Sequence, residues 1–390
     1  MKRVAYVCAD PGIPVFGSKG ASVHVQAVLA SLLRLGFGVT LHALRHGGPV
    51  PEDLRDVVST PLPAPPPGEP EARARALIAA EGEMRRTLAA GGPFDAVYER
   101  YSLWSRVGMG FARAAGVPGI LEVNAPLIEE QVRHRQLPLP SEAARIARCA
   151  FRDATTIVAV SPGVAAYLQR FEEASGKVAV VANGIDPARF AVAREERAES
   201  EPFVVGFLGT LKPWHGVPTL LEAVARVRAR GLDARLLIVG DGPQRPAILE
   251  RMEALGIAGA ARMTGAVAPS AVPALLREMD AGVAPYPGGD GFYFSPLKIY
   301  EYMAAGLPVV ATDVGHLRDL VEGAGAGLVC APEDPAALAA ALEDLARRPS
   351  LRDRLGSAAR AHALLHCTWD AAVAYILEAA RIPIERQAAA

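Results

Sequence analysis

Cysteine is scarce in this sequence. The four present, Cys8, Cys149, Cys330 and Cys367, lie far apart and in no CxxC or Cys/His spacing, which excludes a zinc motif and a disulfide framework. Free thiols in a reducing compartment are expected. Net charge is nearly absent too: 41 basic side chains stand against 42 acidic ones, so nothing calls for nucleic acid or another bulk electrostatic partner. Long apolar runs are missing. The opening MKRVAYVCAD starts basic, but Asp10 and Pro11 break its apolar run short of a signal peptide or a membrane span. A cytoplasmic protein is expected.

Apolar residues are abundant, at 51% against 21% charged, as in a globular protein. The 390 residues exceed the roughly 250–300 at which a single core stops growing, so two domains are expected. The chain opens as strand, glycine loop, helix and strand: RVAYVCA, DPGIPVFGSKG, ASVHVQAVLASLLRLG, FGVTLHAL. The helix carries Val25, Val28, Leu29, Leu32 and Leu33 at spacings of three and four and stops at Gly36. STPLPAPPPGEP at 59–70 reads as a surface loop, because proline lacks the amide donor that a sheet or helix interior needs. Strand-like runs return at FDAVYER, GILEVNA, TTIVAVS and KVAVVANGI.

The acidic stretch 191–201 is the linker candidate. It separates a domain over 1–190 from a second over 202–368, with 369–390 read as a terminal helix that packs back on the first domain. In the second half, PFVVGFLGT, ARLLIVGDGP, ARMTG, AGVAPYP, LPVVAT and GAGLVCAP alternate with helical runs. Short apolar strands alternating with helices predict an α/β protein of two doubly wound, Rossmann-like domains facing across a cleft. Ligands of such sheets collect at the carboxyl ends of the strands, so the loops after the strands are where chemistry is sought.

Four of those loops have suitable residues. GSKGASVH places Gly17, Lys19 and Gly20 ahead of a helix whose first amides lack partners; it is either a diphosphate cradle or a tight turn. GFLGTLKPWHGV offers Gly209, Lys212, Trp214 and His215. Lys212 can neutralise phosphate and His215 can donate from either nitrogen; a helix-leading turn capped by Trp214 is the alternative. IVGDGP brackets Asp241 with Gly240 and Gly242, a turn that brings backbone close to a nucleotide or merely connects elements. FYFSPLKIYEYMAAG is the most informative. Ser295 is an N-cap candidate and Pro296 suits a first helical turn, leaving the amides of Leu297 and Lys298 unpaired. Lys298 and Glu301 share a helix face. A phosphate at the helix terminus would meet Lys298, and Glu301 would accept hydrogen bonds from a ribose diol. A plain surface Lys–Glu pair is the alternative, and it explains neither the GGDGFYF loop nor the two tyrosines. His24, on the first helix, faces either ligand or core.

With these residues in view, the chain resembles the retaining glycosyltransferases of family 4, which have the GT-B fold. The likeness runs almost end to end. It rests on GSKGASVHVQAVLASLLRLGFGVTLHAL, VAVSPGVAAYL and VVANGIDPARF in the first half, and on FLGTLKPWHGVPTLLEA, LLIVGDGP, MTGAV and SPLKIYEYMAAGLPVVAT in the second. The resemblance implies a nucleoside-diphosphate sugar as donor, bound by the second domain. Glu301 would meet the ribose, with Lys212 and Lys298 near the diphosphate and His215 assisting. The base would lie on the backbone of 265–267, which includes Val267; Gly209, Gly240, Ser295, Pro296 and Leu297 would line the donor site, and Gly20 would approach from the first domain. The acceptor, a hydroxyl of a glycan, lipid or small metabolite, would lie near EVNAPLIEE at 122–130, with Asn124 and His24 on that side.

Two departures from the family pattern stand out. Tyr293 occupies the place of the first of two glutamates eight positions apart, so the backbone of 292–295 or Asp290 becomes the candidate reader of sugar hydroxyls. Thr210 and His215 replace the usual Arg and Lys of the preceding loop. The implied chemistry is front-face transfer with retention in bacterial-type glycan or glycoconjugate biosynthesis, without a cofactor or an obligatory metal. Sugar-nucleotide 2-epimerisation, for which His24 shows no evident carboxylate partner, and noncatalytic sugar-nucleotide sensing are the other readings. Arg133, Arg135, Arg145, Arg148 and Arg152 form a basic group that is either a solvated helix face or a contact with an anionic acceptor or the inner face of a membrane.

Overall fold

The computed structural model describes residues 1–134, 136–191, 201–289 and 292–384. Arg135, Asp290, residues 192–200 of the expected linker and residues 385–390 of the expected terminal segment lie outside the described residues. The chain divides into two compact units. The first comprises Met1–Asn183, Tyr293–Ser295 and the stretch from Trp369 onward; the second comprises Gly184–Phe292 and Pro296–Thr368. The first unit therefore ends at Asn183 rather than at 190. Residues 184–191 go with the second unit because Ile185 donates its amide to Cys367 and Phe190 is buried in that unit's core.

The first unit holds a seven-stranded sheet of β1 (Arg3–Cys8), β2 (Gly38–Ala43), β3 (Val58–Pro61), β4 (Ala96–Arg100), β5 (Gly119–Val123), β6 (Thr156–Ala159) and β7 (Val178–Val180), ordered β3-β2-β1-β4-β5-β6-β7. The second holds a six-stranded sheet of β8 (Phe203–Leu208), β9 (Ala234–Val239), β10 (Ala261–Met263), β11 (Ala281–Ala284), β12 (Val309–Thr312) and β13 (Gly327–Cys330), ordered β10-β9-β8-β11-β12-β13. Every pairing is parallel. Strands such as β6 and β11 are buried along their whole length, which is why they read as unbroken apolar runs rather than alternating ones.

The expected loop over 59–70 needs correction, because Val58–Pro61 pairs with β2 as the outermost strand of the sheet. Proline is tolerated at an edge, where its missing amide leaves no neighbour unpaired. The first helix, Gly20–Arg34, buries Val25, Val28, Leu29 and Leu32 along one face. The helix Trp369–Ala379 belongs to the same unit. Ser31 donates to Asp370 at 2.7 Å and Arg34 pairs with it at 2.6 Å, while Trp369 meets the His24 ring edge-on with centroids 4.7 Å apart. Among the described residues no helix is long and apolar enough to cross a membrane.

In the second unit the helix Leu297–Ala304 is pinned to the sheet by Tyr302. The amide of Leu208 donates to the phenol oxygen at 2.7 Å, and the phenol donates to Val283 O at 3.3 Å, so one hydroxyl ties the helix to both β8 and β11. The ring lies directly on Gly282, where a Cβ would come within 2.3 Å of it. With its hydroxyl held, the ring has no room to retreat. Gly282→Ala is therefore expected to destabilise the second unit by about 3 kcal/mol, the upper end of overpacking costs. Thermal or denaturant unfolding of the variant checks this; an unchanged transition would show that the helix does not depend on this seat.

Candidate active site

The order of the second sheet reverses between β8 and β11. Loops leaving the carboxyl ends of two such strands diverge and open a crevice. Lys298, in the first turn of the helix Leu297–Ala304, lies beside the residues that border this reversal. It is 7% exposed, and its Nζ has no hydrogen-bond partner among the described residues. The ammonium sits 4.1 Å from the centroid of Phe207 on β8 and 5.2 Å from that of Tyr286, just past β11. A Cβ at Gly209 would lie only 3.2 Å from it. Burial pushes the Lys298 pKa down to about 7, against a smaller upward pull from Glu301. Aromatic faces offset part of the desolvation cost of a buried cation, but they do not replace an anion.

The loop after β8 surrounds this ammonium differently from the expectation. His215 Nδ1 is hydrogen-bonded to the carbonyl of Thr210, which can only accept, so Nδ1 carries the proton. Burial first, and then the charge of Lys298, lowers the His215 pKa to about 3. The ring is therefore neutral with Nε2 as an acceptor, which corrects the expectation of a donor at either nitrogen. Lys212 Nζ lies 5.6 Å from the ring of Trp214 and contributes to the lowering at His215. Gly240 acts through packing: with φ at +141°, its α-carbon presses on the preceding loop, so that a Cβ would fall 2.0 Å from Gly209 O. Asp241 O accepts from Leu211 N at 3.0 Å and locks the two loops together.

Glu301 lies one turn beyond Lys298. Its side chain is 17% exposed and pairs with Arg189 at 3.4 Å. Burial raises its pKa, with Arg189 and Lys298 opposing the rise. Val267 packs against the core of the second unit, in the turn that follows β10. Ser295 does not cap this helix. The cap position is Pro296 in extended conformation, without a side-chain hydrogen bond. Ser295 instead accepts from the Asn183 amide at 3.0 Å, and its carbonyl accepts from Asn183 Nδ2 at 3.1 Å. The amides of Leu297 and Lys298 remain in the first turn, where no intrahelical acceptor precedes them.

In the first unit, His24 has a carboxylate partner after all. Its Nε2 is 2.9 Å from Glu122 Oε1, with side chains only 4% and 3% exposed. Tyr98 donates to the same oxygen at 2.8 Å, Asn124 Nδ2 donates to Oε2 at 3.1 Å, and Arg100 lies 3.6 Å away. The Glu122 pKa falls to about 2: burial is the largest influence and acts upward, but His24, Arg100 and Tyr98 together outweigh it. Gly20 opens its helix in free space, with nothing within 4 Å of a Cβ built there. Tyr293, in the place of the first glutamate, is engaged within the first unit. Its phenol donates to Glu130, and its carbonyl accepts from Ser161 at 2.6 Å. Of the basic group, Arg148 pairs with Glu173 and Arg152 with Asp153, while Arg145 is exposed and Arg133 acts electrostatically on Tyr293. A group with two of its charges already paired offers a weaker anionic contact than the sequence suggests.

Comparison with known proteins gives the family. The family profile Glycosyltransferase Family 4 matches residues 18–189, and Glycosyl transferases group 1 matches residues 202–348. The chain belongs to glycosyltransferase family 4. Glycogen synthase of Mycobacterium tuberculosis is 31% identical over 186 residues, which cover 47% of this chain and 43% of that protein. The chain thus spans less than half of that relative. D-inositol 3-phosphate glycosyltransferase of Salinispora arenicola is 28% identical over 354 residues, covering 83% of this chain and 77% of the relative. The crystal structure of Anabaena HepE in complex with UDP and glucose superposes with a TM-score of 0.69 at 19% identity, over 97% of this chain and 99% of that one. The architecture is GT-B.

For this family member, sequence motifs located Lys298 and Glu301 but missed Phe207, Tyr286 and Arg189, which complete their surroundings. Arg189 stands in the quoted VVANGIDPARF stretch, so the signal was present without a role attached. The state of Lys298 has a measurable consequence. An unfolded lysine keeps its proton up to about pH 10.5, whereas folded Lys298 releases it near 7. Between those values the unfolded chain binds more protons, so this group makes stability rise with pH. Lys298→Met is expected to be more stable than wild type at pH 7 and to lack that rise, as followed by unfolding from pH 6 to 10. A variant less stable than wild type at pH 7 would show that the buried ammonium is compensated within the protein.

Proposed function

We propose that this protein transfers a sugar from a nucleoside-diphosphate sugar to a hydroxyl acceptor, with retention at the anomeric carbon. The observation that carries this reading is the buried ammonium of Lys298, which has no hydrogen-bond partner among the described residues and lies one helical turn from Glu301. A diphosphate supplies the anion and the ribose diol suits the carboxylate. Membership of the family and the UDP bound by HepE support the same assignment.

In this proposal the acceptor oxygen attacks the anomeric carbon on the face from which the diphosphate leaves. The bond between that carbon and the phosphate oxygen breaks, and the leaving phosphate takes the acceptor proton. The products are the glycoside and the nucleoside diphosphate. Negative charge grows on the diphosphate as this bond breaks, and a pre-positioned cation in a dry site stabilises growing charge most. Lys298 is the principal group, helped by the amides of Leu297 and Lys298 and by the more exposed Lys212. Neutral His215 presents an acceptor, which suits a donor hydroxyl rather than phosphate. Acceptor recognition is assigned to residues 122–130 of the first unit. The His24–Glu122 pair does not favour epimerisation: both side chains are almost fully buried, whereas epimerisation needs acid and base exposed to a sugar ring.

A thermal-shift panel of UDP, GDP, ADP and dTDP sugars identifies the donor, since a ligand at about 100 times its Kd adds roughly 2.7 kcal/mol. Lys298→Ala is expected to lower turnover about 100-fold or more. Glu301→Ala is expected mainly to weaken donor binding, by about tenfold. Wild-type kinetics in folded Lys298→Ala would refute the assignment of the leaving group to this ammonium.

A further inference from the structure

The stretch VVANGIDPARF has no part in the chemistry above, yet its arginine reaches the nucleotide side of the second unit. Asp186 caps the short helical turn Pro187–Phe190 by accepting from Ala188 N at 3.0 Å. Phe190 is 2% exposed, and its carbonyl accepts from Arg360 Nη2 at 2.7 Å. Arg360 also donates to Ala304 O, at the end of the helix that carries Lys298 and Glu301. Arg189 is thus presented from a fixed turn. Its Nη2 donates to Pro269 O at 2.8 Å, while its Nη1 lies 3.4 Å from Glu301 Oε1.

We propose that Arg189 is a positioning residue of the nucleotide site, aiming the Glu301 carboxylate at the ribose diol while bracing the turn that follows the base-side residues 265–267. One planar guanidinium serves both contacts, because its nitrogens diverge at fixed angles. Without Arg189, burial acts on Glu301 with only Lys298 to oppose it. A protonated carboxyl accepts hydrogen bonds weakly, so the ribose diol would lose its partner first at low pH. The inference rests on the donor reading of the same site.

The test compares the affinities of UDP, GDP, ADP, their 2′-deoxy analogues and dTDP for the full-length chain between pH 5.5 and 9, in wild type, Arg189→Lys and Arg189→Gln. Wild type is expected to prefer one ribonucleotide over its 2′-deoxy analogue by about tenfold across this range. Arg189→Gln is expected to lose at least fivefold of that preference near pH 6 and to recover it toward pH 9, whereas Arg189→Lys keeps most of it throughout. A simple structural role would weaken ribo- and deoxynucleotides alike and leave the pH profile unchanged, and that result overturns the inference while leaving the donor reading intact. If wild type binds none of these nucleotides, the donor reading falls and this inference falls with it; binding of dTDP alone overturns the inference and leaves the donor reading intact.

Discussion

A buried cation without a hydrogen-bond partner is costly, and Lys298 is one among the described residues of the second unit. The Lys298 ammonium rests between the rings of Phe207 and Tyr286, beside a glycine that leaves it room, and has no hydrogen-bond partner in the described protein. Pairing it with a fixed carboxylate would have been the stabilising choice. In the proposed reaction a diphosphate would relieve that unpartnered state.

Holding such a group in place requires a rigid helix. The Tyr302 phenol ties that helix to the two strands at the sheet reversal, and Gly282 makes the close approach possible. Arg360 binds the other end of the helix and, through Phe190, the turn bearing Arg189. Lys298, Glu301 and Arg189 are therefore positioned by one connected set of contacts rather than by independent loops. The neighbouring glycine loops pack backbone on backbone at Gly209 and Gly240, so the glycines here act as spacers.

The first unit satisfies its buried charge in the opposite way. Glu122 is enclosed by His24, Tyr98, Asn124 and Arg100, and these partners keep the carboxylate ionised despite complete burial. The same partners link β4, β5 and the first helix, while Trp369 brings the terminal helix against His24. This compensated cluster acts as a strut. Lys298, by contrast, has no hydrogen-bond partner among the described residues.

The alternation of apolar strands and helices was legible in the sequence, because strands buried on both faces must be continuously apolar and parallel crossovers need helices between them. The pair Lys298 and Glu301 was legible as well, since helical spacing alone puts them on one face. The edge strand Val58–Pro61 was not, because proline signals loop locally and only its place at the sheet margin makes it tolerable. Ser295 looked like a cap by residue type, but its hydroxyl was taken by Asn183, far away in the chain. The partners of His24 and of Glu301, the tautomer of His215 and the commitment of Tyr293 to Glu130 were likewise decided only by tertiary structure. Local pattern determines which face of an element is buried; which charge meets which across more than a hundred residues depends on how the elements pack.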